Sequence, residues 1–172
     1  MLAIEDRIST SDGEQLSVRP LVKCDAAAIA EAFEAMSPET RRLRFLSPKP
    51  MLTERELRYL TDIDHTSHDA LAALNEDGRI VAVARYAELT PGTAELAIEV
   101  IDEYQGRGIG PALLERVVGL ARAHGYGRLT ASILWENLRA RQLFKRIGFR
   151  AAGSAGGVLD VALELSAATE AA

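Results

Sequence analysis

The sequence is poor in the residues that several kinds of chemistry require. Cys24 is the single cysteine among 172 residues, which excludes a disulfide framework and a cysteine-rich metal site. No acyl-enzyme motif surrounds it, so an inert packed thiol is expected. No apolar run approaches the roughly 20 residues of a membrane-spanning helix, and the start Met1-Leu-Ala-Ile-Glu-Asp6 lacks the basic opening of a signal peptide. The expected setting is the cytoplasm, with no membrane partner. Positive charge is in deficit: 20 Lys and Arg against 25 Asp and Glu leave −5 at pH 7, which argues against nucleic acid as a partner. Two phosphate-binding patterns are missing as well. A dinucleotide fingerprint G-x-G-x-x-G would end where Pro111 stands, and no Gly-Lys-Ser/Thr closes a P-loop.

What is present is the composition of a globular chain, 48% hydrophobic and 26% charged, with length enough for one domain and a proper core. No repeat or linker divides it. Residues 1–166 are expected to form a single domain and 167–172 a frayed tail. The organising stretch is Val100-Ile-Asp-Glu-Tyr-Gln-Gly-Arg-Gly-Ile-Gly110. Before it, Ala94 to Ile101 reads as a strand with Leu96, Ile98 and Val100 on one face and Glu95, Ala97 and Glu99 on the other. After it, Leu113, Leu114, Val117, Val118 and Ala121 recur at helical spacing up to Gly125. Gly106, Gly108 and Gly110 alternate between strand and helix. Glycine allows close backbone approach and positive φ, and a helix N-terminus offers unpaired N–H groups that suit a pyrophosphate. Arg107 adds a cation able to pair with phosphate.

The remaining elements follow from local signals. Ile8 to Leu21 reads as a hairpin turning at Asp12-Gly13. Asp25 is placed as the cap of a helix to about Met36. Ser37-Pro38-Glu39 opens a helix carrying Arg41, Arg42 and Arg44 to Phe45, and Thr53 to Glu56 is a capping box for a third helix ending near Leu60. Strands are expected at 69–75, 80–89 and 129–134, a helix from Leu138 to Ile147, and two last strands separated by Gly153, Gly156 and Gly157. The order predicts an α/β fold: a mixed sheet of about seven strands with four to five helices on both faces, the first hairpin strand added at its edge.

Gln105-x-x-Gly108-x-Gly110 resembles the Q/R-x-x-G-x-G/A signature of the GNAT N-acetyltransferases. Asn137-Leu-Arg-Ala140-Arg-Gln-Leu143-Phe144-Lys-Arg-Ile-Gly148-Phe149 resembles a second pattern of that family. The resemblance covers about residues 15 to 166 and implies the GNAT fold. It also implies acetyl-CoA as co-substrate, with pyrophosphate over Gly106, Arg107, Gly108, Ile109 and Gly110 and with Gln105 among the cofactor-binding residues. The strand N–H groups near Ile98 and Val100 would meet the thioester end, and Asn137 would either contact the pantetheine arm or cap its helix. Ser37 to Phe45, His68 to Ala73, Val81 to Tyr86 and Ala94 to Ala97 are similar to the catalytic domain of bacterial Pat-type protein lysine acetyltransferases. In that group the residue matching Glu95 is the general base, and the accessory domains that some members carry are not expected here.

Two departures stand out. Phe144 takes the place of a tyrosine that protonates the leaving thiolate in many members. Pro111 removes one N–H from the helix end, a loss of about 1 kcal/mol in binding. Acetyl transfer to an amine also needs a base. Glu95 is the expected one, with Glu99 as alternative, each expected to raise the other's pKa by repulsion and burial; pairing of Glu95 with Arg85 is the structural alternative. The implied activity is acetyl transfer to a primary amine, either a protein lysine or a small molecule, and the other class considered is an acyl-CoA-binding module with little turnover. His65-Thr-Ser-His68 reads as loop without a companion motif, so no metal is expected. His124 reads as a helix-dipole partner. Arg41, Arg42 and Arg44 read as a solvated face, or for Arg44-Phe45 as part of the acceptor entrance.

Overall fold

The structure, a computed structural model, describes residues 6–165. Its strands are β1 (Asp6–Ser9), β2 (Gln15–Pro20), β3 (His68–Leu74), β4 (Ile80–Thr90), β5 (Thr93–Val100), β6 (Arg128–Leu134), β7 (Arg150–Ala155) and β8 (Val158–Glu164). The helices are α1 (Ala26–Glu34), α2 (Pro38–Phe45), α3 (Glu54–Thr61), α4 (Ile109–Ala123) and α5 (Leu138–Ile147). One eight-stranded sheet runs in the order β1-β2-β3-β4-β5-β6-β8-β7. The mixed α/β class is as expected, and the added hairpin strand lies at the sheet edge. No helix among the described residues is long and apolar enough to cross a membrane.

The helix boundaries follow the local chemistry. Ser37 Oγ accepts from the Thr40 N–H at 3.1 Å with Pro38 as the first helical residue. Thr53 and Glu56 exchange side-chain and backbone bonds in a full capping box. Gly148, at φ 114°, ends α5. Asp25 departs from its expected role. It precedes α1, but its carboxylate does not cap the helix. It is buried and binds Arg19 through two contacts of 2.8 Å, and it accepts from the Val22 N–H at 2.9 Å. A charged partner in a buried site outcompetes one helical N–H. Helix α1 ends two residues before Met36, which is instead a buried core residue. Gly153 lies inside β7, at a register shift against β8, rather than between the last strands. Cys24 is exposed, because the single turn over Lys23–Asp25 turns Asp25 inward instead. The expected tail at 167–172 lies outside the described residues.

Strand parity divides the sheet into two faces. The register Tyr86↔Leu96 and Arg85↔Ala97 puts Leu96, Ile98 and Val100 on the face of Tyr86, and Glu95, Ala97 and Glu99 on that of Arg85. Helix α4 covers the first face: Leu113, Leu114, Val117 and Ala121 are fully buried, and its end meets Tyr86 through His124 Nδ1, 2.5 Å from the phenol oxygen. That bond, not a dipole contact alone, fixes His124. Helices α1, α2 and α3 cover the second face, where Arg44 of α2 and the Leu60 carbonyl of α3 reach residues of β4 and β5.

All neighbouring strands are antiparallel except β5 and β6, which are parallel and pair through only Thr93↔Arg128, Ala94↔Leu129 and Glu95↔Thr130. Beyond Glu95 they separate. The site is built in that gap.

Candidate active site

The gap between β5 and β6 opens a cleft of about 870 Å³. It runs from the glycine loop past Val100, Ile98 and Ala97 to Glu95, with Ala131 to Ile133 of β6 and Asn137, Ala140 and Phe144 on the other wall. Of the eleven residues singled out from sequence, Arg107 alone does not line it.

The loop owes its shape to glycine at two positions. Gly106 and Gly108 have φ of 73° and 82°, values costly for any other residue. Gly108 is the N-cap of α4, and a Cβ built on it would meet no atom within 4 Å. That direction is open. Gly110 has a different reason: a Cβ there would lie 3.3 Å from Leu143 Cδ2, so the third glycine lets α5 approach α4. Pro111 is the third residue of α4, leaving the N–H groups of Ile109, Gly110 and Ala112 in the first turn. Gln105 braces the loop: its Nε2 donates to the Val100 carbonyl at 3.0 Å and to Thr40 Oγ1 at 3.2 Å, and its Oε1 accepts from Arg139 at 2.9 Å.

Arg107 is turned away from the cleft. Its Nε and Nη2 lie 2.8–3.1 Å from the Asp12 carboxylate, and Nη2 is 2.6 Å from Glu14. The cation expected to meet phosphate is held by two carboxylates of the β1–β2 turn. Hydrogen bonds to Asp12 first, then to Glu14, raise its pKa further.

Where β6 leaves it, the edge of β5 has no strand partner among the described residues, and of its groups there the Val100 carbonyl is taken by Gln105. The Ile101 N–H donates to the Val81 carbonyl at 3.0 Å. By the alternation of an antiparallel ladder, Ile98 and Val100 therefore point their backbone groups the other way, to the cleft.

The two glutamates differ sharply. Glu95 is partly buried, lines the cleft and has no hydrogen bond or ion pair among the described residues. Glu99 is 2.5 Å from Arg44 Nε and 3.7 Å from Arg85 Nη2. Burial works to raise the Glu99 pKa, but Arg44 and Arg85 outweigh it and hold the carboxyl below its usual range. The expected raising of the Glu99 pKa by Glu95 is not found: four residues of strand separate the two by about 13 Å, and Arg44 and Arg85 dominate at Glu99. Arg85 pairs with Glu99, not with Glu95. It is 4% exposed, donates to the Leu60 carbonyl at 2.8 Å, and leaves Nε and Nη2 without hydrogen bonds. At 3.7 Å its contact with Glu99 is an ion pair only.

His68 begins β3 instead of lying in a loop. Its Nε2 is 3.3 Å from Arg85 Nη1, and an arginine only donates, so Nε2 accepts and Nδ1 carries the proton. Burial, with Arg85 next in effect, pushes its pKa down to about 4. Phe144 is buried edge-on against Phe149, rings 5.0 Å apart. Asn137 Oδ1 accepts from the Ala140 N–H at 3.1 Å, so the capping role is filled, while the amide nitrogen has no hydrogen bond among the described residues. The arginines of α2 are not a solvated face. Arg41 lies 4.2 Å over the Phe33 ring, Arg42 bridges Glu39 and Glu136, and Arg44 binds Glu99.

Sequence reasoning missed the Arg44–Glu99–Arg85 cluster and the turn carboxylates on Arg107. The first had a signal: Arg85 interrupts the apolar run from Ile80 to Tyr86, and a buried arginine calls for a carboxylate.

The model of the acetyltransferase (GNAT) family matches residues 30–149. An acetyltransferase of Pseudomonas aeruginosa is 32% identical over 145 residues, covering 82% of this chain and 78% of that protein. The acetyltransferase Pat of Mycolicibacterium smegmatis is 30% identical over 82% of this chain, which spans only 43% of that relative's length. The crystal structure of the GNAT domain of S. lividans PAT superposes with a TM-score of 0.88 at 30% identity, covering 94% of this chain and 97% of that one.

Proposed function

Because the chain belongs to the acetyltransferase (GNAT) family, the acetyl-CoA-dependent acetyltransferases, we propose that it moves an acetyl group from acetyl-CoA to a primary amine by direct transfer, with Glu95 as general base. The observation that carries this reading is the isolation of Glu95. It is the carboxylate on the cleft with no arginine beside it, at the point where β5 and β6 part.

Each residue has one task. The helix N-terminus at Gly108, Ile109 and Gly110 supplies backbone donors for a pyrophosphate, and Gly106 and Gly108 leave its approach open. The edge groups of Ile98 and Val100 continue the interrupted ladder with an amide-bearing arm and offer N–H to the thioester oxygen as charge develops there. Asn137 has an amide nitrogen free for the same arm. Glu95 takes a proton from the acceptor ammonium. The amine nitrogen then bonds to the acyl carbon, the nitrogen gives up its remaining extra proton to water as the carbon–sulfur bond breaks, and the thiolate takes its proton from water, since Phe144 has none to give. Acetyl-CoA supplies the acyl group and its high transfer potential. Glu99 is excluded from the base role by its two arginines.

A protein lysine is the favoured acceptor, supported by the similarity to the S. lividans PAT domain over nearly the whole of both chains. One observation favours a small amine instead. Arg44 and Arg85 against Glu99 leave one positive charge in excess at the acceptor side, which suits a molecule carrying an anion near its amine. Incubation of the protein and acetyl-CoA with cytosolic proteins and with amino acids, read by mass spectrometry, separates the two. Acetyl-lysine formed by the wild type and not by Glu95→Gln supports the proposal. Acetylated amino acids alone overturn the lysine assignment, and no product of either kind overturns the transfer itself.

A further inference from the structure

The β1–β2 hairpin is fastened to the phosphate loop at several points. The Ser11 N–H donates to the Arg107 carbonyl at 3.0 Å. Asp12 and Glu14 hold the Arg107 guanidinium, which also lies 4.5 Å over the Tyr104 ring. Tyr104 donates to Glu14 at 3.0 Å, and Thr10 donates to Asp12 at 2.6 Å. The hairpin strand itself is anchored on α4 by Arg116, whose Nε is 2.6 Å and Nη2 2.8 Å from Asp6. Ser11 lines the cleft beside Gly106 and Gly108. The turn is thus fixed at the mouth of the cradle.

Two carboxylates against one guanidinium leave a net negative charge where a polyanion must dock. They also occupy the one cation that the loop carries. We propose that this turn is an acidic latch: Asp12 and Glu14 compete with the phosphates of acetyl-CoA for Arg107 and so set the affinity of the co-substrate. Binding swings Arg107 from the turn to a phosphate, and the latch returns it when product CoA leaves. The contacts are exposed at Asp12, whose side chain is 60% accessible, and tighter at Glu14, at 29%. Glu14 therefore has the larger share.

This inference rests on the proposal that the loop binds acetyl-CoA, and calorimetry with CoA alone separates the two. If the wild-type protein binds no CoA, the loop assignment fails and the latch with it. If the wild type binds, the variant Asp12→Asn with Glu14→Gln keeps hydrogen-bonding side chains while removing both charges. It is expected to bind CoA about three- to fivefold more tightly, the upper part of the range for surface ion pairs, with an unfolding temperature lowered by no more than the loss of those pairs. Adding Arg107→Ala to that variant is expected to abolish the gain. Unchanged or weaker binding by the doubly neutral variant overturns the latch. So does a gain that survives without Arg107, because it would then come from bulk charge.

Discussion

Glu95 and Glu99 leave the same face of one strand and meet opposite surroundings. Glu99 lies under α2, where Arg44 comes down from the helix and Arg85 comes across from β4. Glu95 lies where β5 parts from β6, on the lining of the cleft, with no hydrogen bond or ion pair among the described residues. A buried carboxylate between two guanidinium groups stays ionised and holds elements together. A carboxylate without such partners is free to take and release a proton. Residue type and strand face are shared, so the difference in role comes from what the neighbouring elements bring to each position.

The largest effect that sharpens this contrast is on rate. Glu95→Gln should lower kcat by about a hundred- to ten-thousand-fold, the usual span for a general base, with acetyl-CoA affinity unchanged. Its stability should stay within about 0.5 kcal/mol of the wild type, because nothing is bonded to the side chain it replaces. Glu99→Gln should do the reverse. It leaves Arg44 and Arg85 facing each other uncompensated, and breaking a buried pair in this way costs about 3–5 kcal/mol. Denaturant unfolding reads the loss. A Glu99→Gln protein as stable as the wild type would break the comparison.

Acid should weaken the buried groups of this face as well. The folded-state pKa of Glu99 is lowered. Its ionised form therefore stabilises the fold at pH above the ordinary carboxylate value of 4.5, and that contribution is lost as pH falls through the folded value. His68 has a folded pKa of about 4 against an ordinary 6.5. The neutral ring is favoured in the fold, so its contribution is complete above pH 6.5 and lost as pH falls toward 4. His68→Gln should flatten the decline of the unfolding temperature between those values. The smallest effect is expected at Phe144. Its ring packs on Phe149 with no polar partner, so Phe144→Tyr should change kcat less than about twofold, within the roughly 0.5 kcal/mol of a neutral substitution. A large gain would mean that thiolate protonation limits the wild type.

Much of this was legible in the sequence because it is written in local chemistry. Ser37-Pro38, the Thr53 to Glu56 box and Gly148 fix helix ends within a few residues, and the structure bears them out. Alternation in Glu95 to Val100 placed both glutamates on one face. The glycine loop was legible because φ near 80° demands glycine whatever surrounds it. What could not be read were charges that meet across long separations in the chain. Arg44 and Glu99 are 55 residues apart, Arg107 and Asp12 are 95, and the one local sign of either was Arg85 in its apolar run, which calls for a carboxylate without saying which. Asp25 shows the same limit at short range: cap position was right, but Arg19 on the neighbouring strand claimed its carboxylate.

The central claim is that the unpaired glutamate is the base. It is tested most directly by the turnover of Glu95→Gln at saturating acetyl-CoA, followed from neutral to alkaline pH with a lysine-bearing peptide as acceptor. The account predicts a deep loss near neutrality that recovers as pH rises, because a growing share of the amine is already deprotonated. Wild-type turnover by Glu95→Gln at neutral pH would contradict it, and the base would then have to be sought outside this strand.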